Sequence, residues 1–587
     1  MNNHFRPSYG RAVQTGLIGG VVSLFLCLVG MVDVFSKRSL IEEVVSIGQI
    51  LLMLTMLGTG YVAARGATDP NAGKKAGPSL LAGLLAAVVA GAVLAGFVII
   101  GDRINLRAVF INASPALYGV ITSGLGLEGL GRLMGLAAAL GAAGALTYLL
   151  PALAQRPLLN GLTAVLFGGL FAGLVRPLLI VFPGWPETFG RYFFGQTGLT
   201  RPGAIITFIF VSGLVLAWST KGKTIREKVR QWPRAGQAAL RWFFVGVLIL
   251  LAVALPRYSG AFIAQVIVLV SLNVLMGLGL NITLGFAGLL DLGFVAFFAV
   301  GAYTVGLLTS YGQYGLMHLP FWSAVPIAVI VAMMVGAFLG LPVLGIRGDY
   351  LAIATLGFGE IVRLLAGSDF LAPFFGGPQG IIGIQKPCLG WLGPFQGMDI
   401  PRVCNGFELG GPKEIYYLAV ISALILAFIA TRLRDSRLGR AWMAIREDED
   451  VAEALGVNLI QTKLLAYMLG ASFAGLAGAV FATLVGSIFA SSMQLLVSIN
   501  VVALIIVGGM GSIPGVLVGA LALIGLPEAF REFSEFRLLL YGAALIAVMV
   551  ARPAGLWPSA IVRRELHLAE ESDPASDPAS AAPVGAR

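Results

Sequence analysis

EIYYLAVISALILAFIAT (414–431), DSRLGRAWMAIREDEDVAEALGV (435–457) and LLAYMLGASFAGLAGAVFATLVGSI (464–488) are an apolar run, a charged stretch and a second apolar run in close succession. Crossing the hydrocarbon core of a membrane takes roughly 20 apolar residues, so the two flanks read as spans joined by a short charged segment. The pattern recurs along the chain. Of its 587 residues, 58% are hydrophobic and 12% charged, whereas a soluble domain carries about 25% charged residues. A water-soluble fold is excluded, and the expectation is an all-α, polytopic transmembrane helix bundle. The 78 glycines suit membrane helices that approach closely, and Gly511, Gly515 and Gly519 follow the GxxxG spacing.

Apolar runs before the middle of the chain cover 15–32, 43–64, 79–101, 134–153, 158–182 and 203–219. The net charge of +10 lies mainly in short loops, as the positive-inside rule requires of cytoplasmic segments. Residues 221–241, with Lys221, Lys223, Arg226, Lys228, Arg230, Arg234 and Arg241, read as a basic cytoplasmic linker after the N-terminal helices of 1–220. A core of 242–557 follows, with runs at 242–255, 261–283, 286–309, 321–345, 350–366, 414–431, 464–488, 496–510, 514–527 and 536–551. The total is about sixteen spans, with both termini cytoplasmic. Residues 558–587 form a cytoplasmic tail, and 572–587, rich in Asp, Pro, Ala and Ser, read as disordered. The basic N-terminus before the first run reads as part of an uncleaved first helix. Cys388 and Cys404 share a long polar loop on the outer side, where they are placed to form a disulfide.

Catalytic chemistry finds no footing. Three His and three Cys are scattered without metal-ligand spacing, and no catalytic arrangement can be argued. Gly222-Lys223-Thr224 ends like a phosphate-binding loop, but Ala217 stands where its first Gly belongs and a membrane helix precedes it. The chain is therefore expected to have no ATPase of its own and to hold no cofactor. In 435–457, Ala441, Ala444, Ile445, Ala452 and Leu455 alternate with charges, as on a short helix docking one face on a soluble protein, and Gly456 supplies a stop. Alone, this stretch reads more readily as a solvated charged loop.

It does not stand alone. Gly277-Leu278-Gly279-Leu280-Asn281, Gly285-Phe286-Ala287-Gly288-Leu289 and Gly301-Ala302-Tyr303 are followed by the run from Arg347 through Asp349, Thr355 and Glu360 to Arg363. Then come Gly376-Gly377-Pro378-Gln379-Gly380-Ile381, Ala471-Ser472-Phe473-Ala474-Gly475-Leu476-Ala477-Gly478, Val507-Gly508-Gly509-Met510-Gly511-Ser512 and Arg552-Pro553-Ala554-Gly555-Leu556. In this order, with 435–457 among them, they resemble the larger permease of the branched-chain amino acid ABC transporter family. The resemblance runs from Val268 to Trp557; extra N-terminal helices occur in longer members. Gln379 stands where the family often has Asn, and Phe294 where it frequently has His or Tyr.

The resemblance implies an ABC importer permease fold in the bacterial inner membrane, moving leucine, isoleucine and valine inward. The partners it implies are a second, shorter permease, two cytoplasmic ATPases and an extracytoplasmic binding protein. Coupling to the ATPases would fall to Gly439, Arg440, Ala441, Ala444, Ile445, Arg446, Glu447, Asp448, Glu453, Ala454 and Gly456. A zwitterionic solute needs polar groups at membrane depth, and Asn273, Asn281, Thr283, Asp291, Asp349, Thr355 and Glu360 are candidates. Arg347 with Asp349, and Glu360 with Arg363, read equally as local ion pairs. Gly376, Gly377, Gln379 and Gly380 would face the binding protein or simply shape a turn. Urea, short amides or other amino acids are alternative solutes. A stand-alone secondary transporter would need paired intramembrane charges and inverted repeats.

Overall fold

Without water to satisfy their backbone groups, apolar runs in hydrocarbon must close their hydrogen bonds internally. In the computed structural model they do so as helices. The structure describes residues 9–42, 44–67, 76–172, 187–195, 198–230, 252–257, 260–343, 349–392, 404–529 and 554–559, with isolated positions elsewhere. Among them, ten helices are long and apolar enough to cross a membrane, and shorter apolar helices occupy Val295–Thr309 and Ile513–Glu528. This is fewer than the apolar runs suggest. The run at 286–309 opens in non-helical backbone, and much of 242–251 and 530–551 lies outside the described residues.

The chain divides into two units, Met1–Leu250 and Leu251–Arg587. The first contains α1 (Tyr9–Leu28), α2 (Ile47–Gly66), α3 (Ala76–Arg103), α4 (Gly129–Leu149), α5 (Ala152–Leu170) and α6 (Arg201–Arg230). Ser46 and Gln49 form a reciprocal capping box that starts α2. Helices α2, α3 and α4 meet through small residues: a Cβ on Gly60 would lie 2.4 Å from the Gly141 carbonyl oxygen. The side chains of 221–230 lie outside the described residues, as do 231–235, 237–241 and the tail from 560.

The second unit contains α7 (Gly260–Leu280), α8 (Val295–Thr309), α9 (Phe321–Val343), α10 (Asp349–Ala366), α11 (Pro412–Asp435), α12 (Arg437–Glu447), α13 (Glu449–Ala454), α14 (Leu459–Val485), α15 (Leu495–Gly508) and α16 (Ile513–Ala520). Helix α14 is central, packing against α7, α8 and α9. Its Ala466, Ala471, Ala474, Ala477 and Ala479 are fully buried. Outward-facing Met334, Phe338, Leu424 and Phe428 are each more than half exposed. So much apolar surface, costly in water at about 25 cal/mol per Å², is at no disadvantage against lipid chains. Two-stranded pairings complete the unit: β3 (Ile381–Ile382) with β6 (Ser487–Ile488), and β4 (Cys388–Leu392) with β5 (Cys404–Glu408).

Candidate coupling and transport site

The glycine motifs of the second unit pair off in space. A Cβ on Gly301 would lie 2.1 Å from the Gly475 carbonyl oxygen, and one on Gly478 would lie 2.0 Å from that of Phe298, so α8 and α14 touch backbone to backbone. Gly293 and Thr355 meet similarly, a Cβ on Gly293 falling 1.9 Å from the Thr355 carbonyl oxygen. At the end of the core, Leu556 N–H donates to the Val507 carbonyl (2.8 Å) and Trp557 N–H to that of Gly508 (2.9 Å). Motifs distant in sequence are thus the two halves of single contacts.

Helix α7 ends in a wide π-helical turn, Asn281–Phe286, before the non-helical stretch 287–294. Asn281 is buried at 1% exposure; its Oδ1 accepts from Gly511 N–H at 2.9 Å, while its Nδ2 has no partner among the described residues. Buried Asp291 accepts from Gly293 N–H (2.9 Å) through Oδ1, and among the described residues its Oδ2 lacks a partner, as does the buried hydroxyl of Tyr467. Thr355 accepts from Leu292 N–H at 3.1 Å, and Ser498, fully buried, accepts from Val295 N–H at 2.9 Å where α8 begins. Thr283 is buried and donates within its own turn to Leu280 (3.1 Å). Asn281, Thr283, Asp291 and Thr355 therefore flank one helix break. Unpartnered polar atoms of this kind are costly to bury and are what a polar solute or water would satisfy.

The remaining pathway candidates lie apart. Asn273 turns back on its own helix to Leu269 (2.9 Å), and Glu360 pairs with Arg363 (Nε to Oε1 3.0 Å) with both side chains about a third exposed, as a local ion pair does. The side chain of Asp349 and the whole of Arg347 lie outside the described residues.

The charged stretch between α11 and α14 forms two short helices rather than a loop. Ser436 caps α12 by accepting from Gly439 N–H, and Asp448 caps α13 by accepting from Val451 N–H. Gly456, at φ +86°, ends the segment. Its apolar face turns inward: Gly439, Trp442, Ile445 and Ala452 are buried against this chain, so Ile445 and Ala452 do not belong to an outward docking face. Ala441 and Ala444 are half-buried. The outward surface includes Leu438, Arg440, Arg446, Glu447, Asp448, Val451, Glu453, Ala454, Leu455 and Gly456, with Leu455 77% exposed.

Side-chain bonds fix this segment to the bundle. Trp442 Nε1 donates to the Thr462 carbonyl (2.8 Å), Lys463 Nζ pairs with Glu449 Oε1 (2.7 Å), and Arg446 Nη1 donates to the Gly285 carbonyl (2.7 Å). Sequence reasoning passed over Trp442 and Lys463. Lys463, 4% exposed at the start of an apolar helix, was the available signal, because a buried Lys demands a partner.

On the other loop, Gly376, Gly377 and Gly380 take positive φ and are tucked in, while Gln379 is exposed. A Cβ on Gly380 would sit 2.0 Å from the Ile488 carbonyl oxygen, so this glycine lets β3 reach β6. The three glycines shape a turn, and of the four only Gln379 presents a side chain. Cys388 and Cys404 are joined in a disulfide.

A multi-pass helical bundle, with glycine crossings, a polar helix break and a charged two-helix segment fastened beneath it, defines a membrane transport permease subunit. The sequence agrees: residues 262–549 match the family described as branched-chain amino acid transport system / permease component. The high-affinity branched-chain amino acid transport system permease protein LivM of Escherichia coli K12 is 38% identical over 337 residues, covering 55% of this chain and 76% of that protein. Its namesake LivM from Salmonella typhimurium is also 38% identical, over 331 residues with the same coverage. The permease LivH of Salmonella typhimurium is 27% identical over 169 residues, 27% of this chain and 54% of that protein. The chain belongs to the branched-chain amino acid transport permease family. No solved structure matches it.

Proposed function

We propose that this chain is the larger permease subunit of an ATP-binding-cassette importer that carries leucine, isoleucine and valine into the cytoplasm across the bacterial inner membrane. It would pair with a shorter permease, two cytoplasmic ATPases carrying ATP and Mg, and an extracytoplasmic binding protein. The observation that carries this reading is the two-helix segment 437–454. It is bonded to the bundle on one side and offers Leu438, Val451 and Leu455 among charged residues of both signs on the other. Such a surface, apolar points rimmed by charge, suits a soluble partner that must grip it. The disulfide between Cys388 and Cys404 is compatible with an oxidising exterior for that loop.

The test is purification of the chain from its native cells in mild detergent, wild type beside Glu447→Arg and Gly456→Arg. ATPases and a second permease should accompany the wild type, and the ATPases should be lost from both variants, with leucine uptake reduced to background. A wild-type chain that emerges alone, or variants that transport normally, would sink the proposal.

A further inference from the structure

Arg446 occupies a position that an ATPase-docking role does not account for. Arg446 is exposed, as Glu447 and Asp448 beside it are, yet its guanidinium reaches back to the Gly285 carbonyl, 161 residues earlier in the chain, at 2.7 Å. On the side that meets the bundle the approach is close. A Cβ on Gly288, itself at φ +74°, would lie 3.0 Å from Arg446 Cγ, and one on Gly511 would lie 3.5 Å from Nη1. The carbonyl it holds belongs to the π-helical turn that begins with Asn281. A Cβ on Gly285 would sit 2.0 Å from Asn281 Oδ1, so the amide folds directly over Gly285 to accept from Gly511 N–H. Arg446, the Gly285 carbonyl, the Asn281 amide and the Gly511 turn are therefore one connected unit, and the amide presents a buried Nδ2 donor with no partner among the described residues.

We propose that Arg446 is the positioning residue through which displacement of the coupling segment reaches the transport path, holding the Gly285 carbonyl and with it the turn that orients Asn281. The inference rests on the importer reading above and assigns Arg446 to the bundle rather than to the ATPase surface. A charged donor on a backbone carbonyl is a strong and directional link. Moving α12 would pull the carbonyl, loosen the contact between Asn281 and Gly511, and change what the free Nδ2 can meet. The second fastening, Lys463 to Glu449, joins α13 to α14 and does not touch the break. Arg446 is thus the side chain of the segment that links it to the turn carrying a pathway candidate.

The experiment compares Arg446→Ala, Arg446→Lys and Asn281→Ala in the purified whole complex. Its readouts are ATPase retention, leucine uptake in vesicles, and ATP hydrolysis stimulated by leucine with the binding protein. In Arg446→Ala the ATPases should stay bound while stimulated hydrolysis and uptake fall about tenfold or more, since hydrogen bonds to charged groups carry that much. Arg446→Lys, which can donate to the same carbonyl, should recover part of the loss. Asn281→Ala should reproduce the uncoupling. If Arg446→Ala sheds the ATPases as Glu447→Arg is expected to, it is a docking residue and the proposal is wrong; coupling within twofold of wild type would overturn it equally. Should Arg446→Ala not accumulate, Arg446→Gln, which keeps a donor without the charge, decides by the same readouts. A wild-type complex lacking ATPases would instead remove the importer reading, and this inference with it.

Discussion

The two units of the chain bury different things. In the first, the buried polar side chains among the described residues are Ser23, Thr59, Ser79 and Thr122, all small hydroxyls that can bond their own helix. Ser23 and Thr59 do so, to Gly19 (2.9 Å) and Thr55 (2.6 Å). In the second unit the buried set includes Asn281, Asp291, Gln385 and Lys463. Hydroxyls that return to their own helix cost little in lipid, whereas carboxylates, amides and ammonium groups at depth are expensive and default to a functional explanation. On the proposed reading this favours the second unit for transport: the first is packed like a scaffold, and the second retains groups that a scaffold would discard.

The sharpest way to break that contrast is to put the same insult into both bundles. Gly478→Ala in α14 and Gly60→Ala in α2 each place a methyl against backbone, 2.0 and 2.4 Å from a carbonyl oxygen. Overpacking of this kind costs roughly 1–3 kcal/mol or more. Gly478→Ala should lower both membrane abundance and uptake per molecule severalfold, and Gly60→Ala abundance alone. Equal loss of uptake per molecule in the two would abolish the distinction. A smaller effect is expected from Lys463→Ala, which removes the ion pair with Glu449. Breaking a buried pair costs about 3–5 kcal/mol, and the partial exposure of Glu449 puts this one below that range. A thermal-stability assay in detergent should show a clear loss that Glu449→Gln only partly reproduces; an unchanged melting temperature would mean that the pair fixes nothing. The smallest effect belongs to Glu360→Gln. Its pair with Arg363, about a third exposed, is worth about 0–1 kcal/mol, so stability and uptake should stay near wild type, and a strong transport defect would return Glu360 to the pathway.

Much of this was legible in the sequence and some was not, for physical reasons. The apolar runs and the charged segment declared themselves because hydrocarbon leaves a helix no alternative. The break at 287–294 was hidden inside a run taken as 286–309, because Phe286, Ala287, Leu289 and Leu290 are as apolar as any helix. Gly288, at φ +74°, ends the helix locally, and the wide turn before it is held by Gly511 and Arg446, both more than 150 residues away. Likewise Ile445 and Ala452 alternate with charges as a docking face would, yet the bundle claims them. Alternation identifies an apolar face without saying which neighbour covers it. Asn281 and Asp291 were picked as polar groups at depth, and only the fold brings them to one break while leaving Asn273 bonded to its own helix.

The bonds from Leu556 and Trp557 to Val507 and Gly508 also carry a consequence for biosynthesis. Chains are made from the N-terminus, so the carbonyls at the start of the Gly508–Ser512 turn exist before the N–H groups that will satisfy them. Until residue 557 has been added, two acceptors beside the seat of Arg446 must be served by water or by the insertion machinery. The permease core can therefore take its final shape around that seat only after the ribosome has passed nearly fifty residues beyond it.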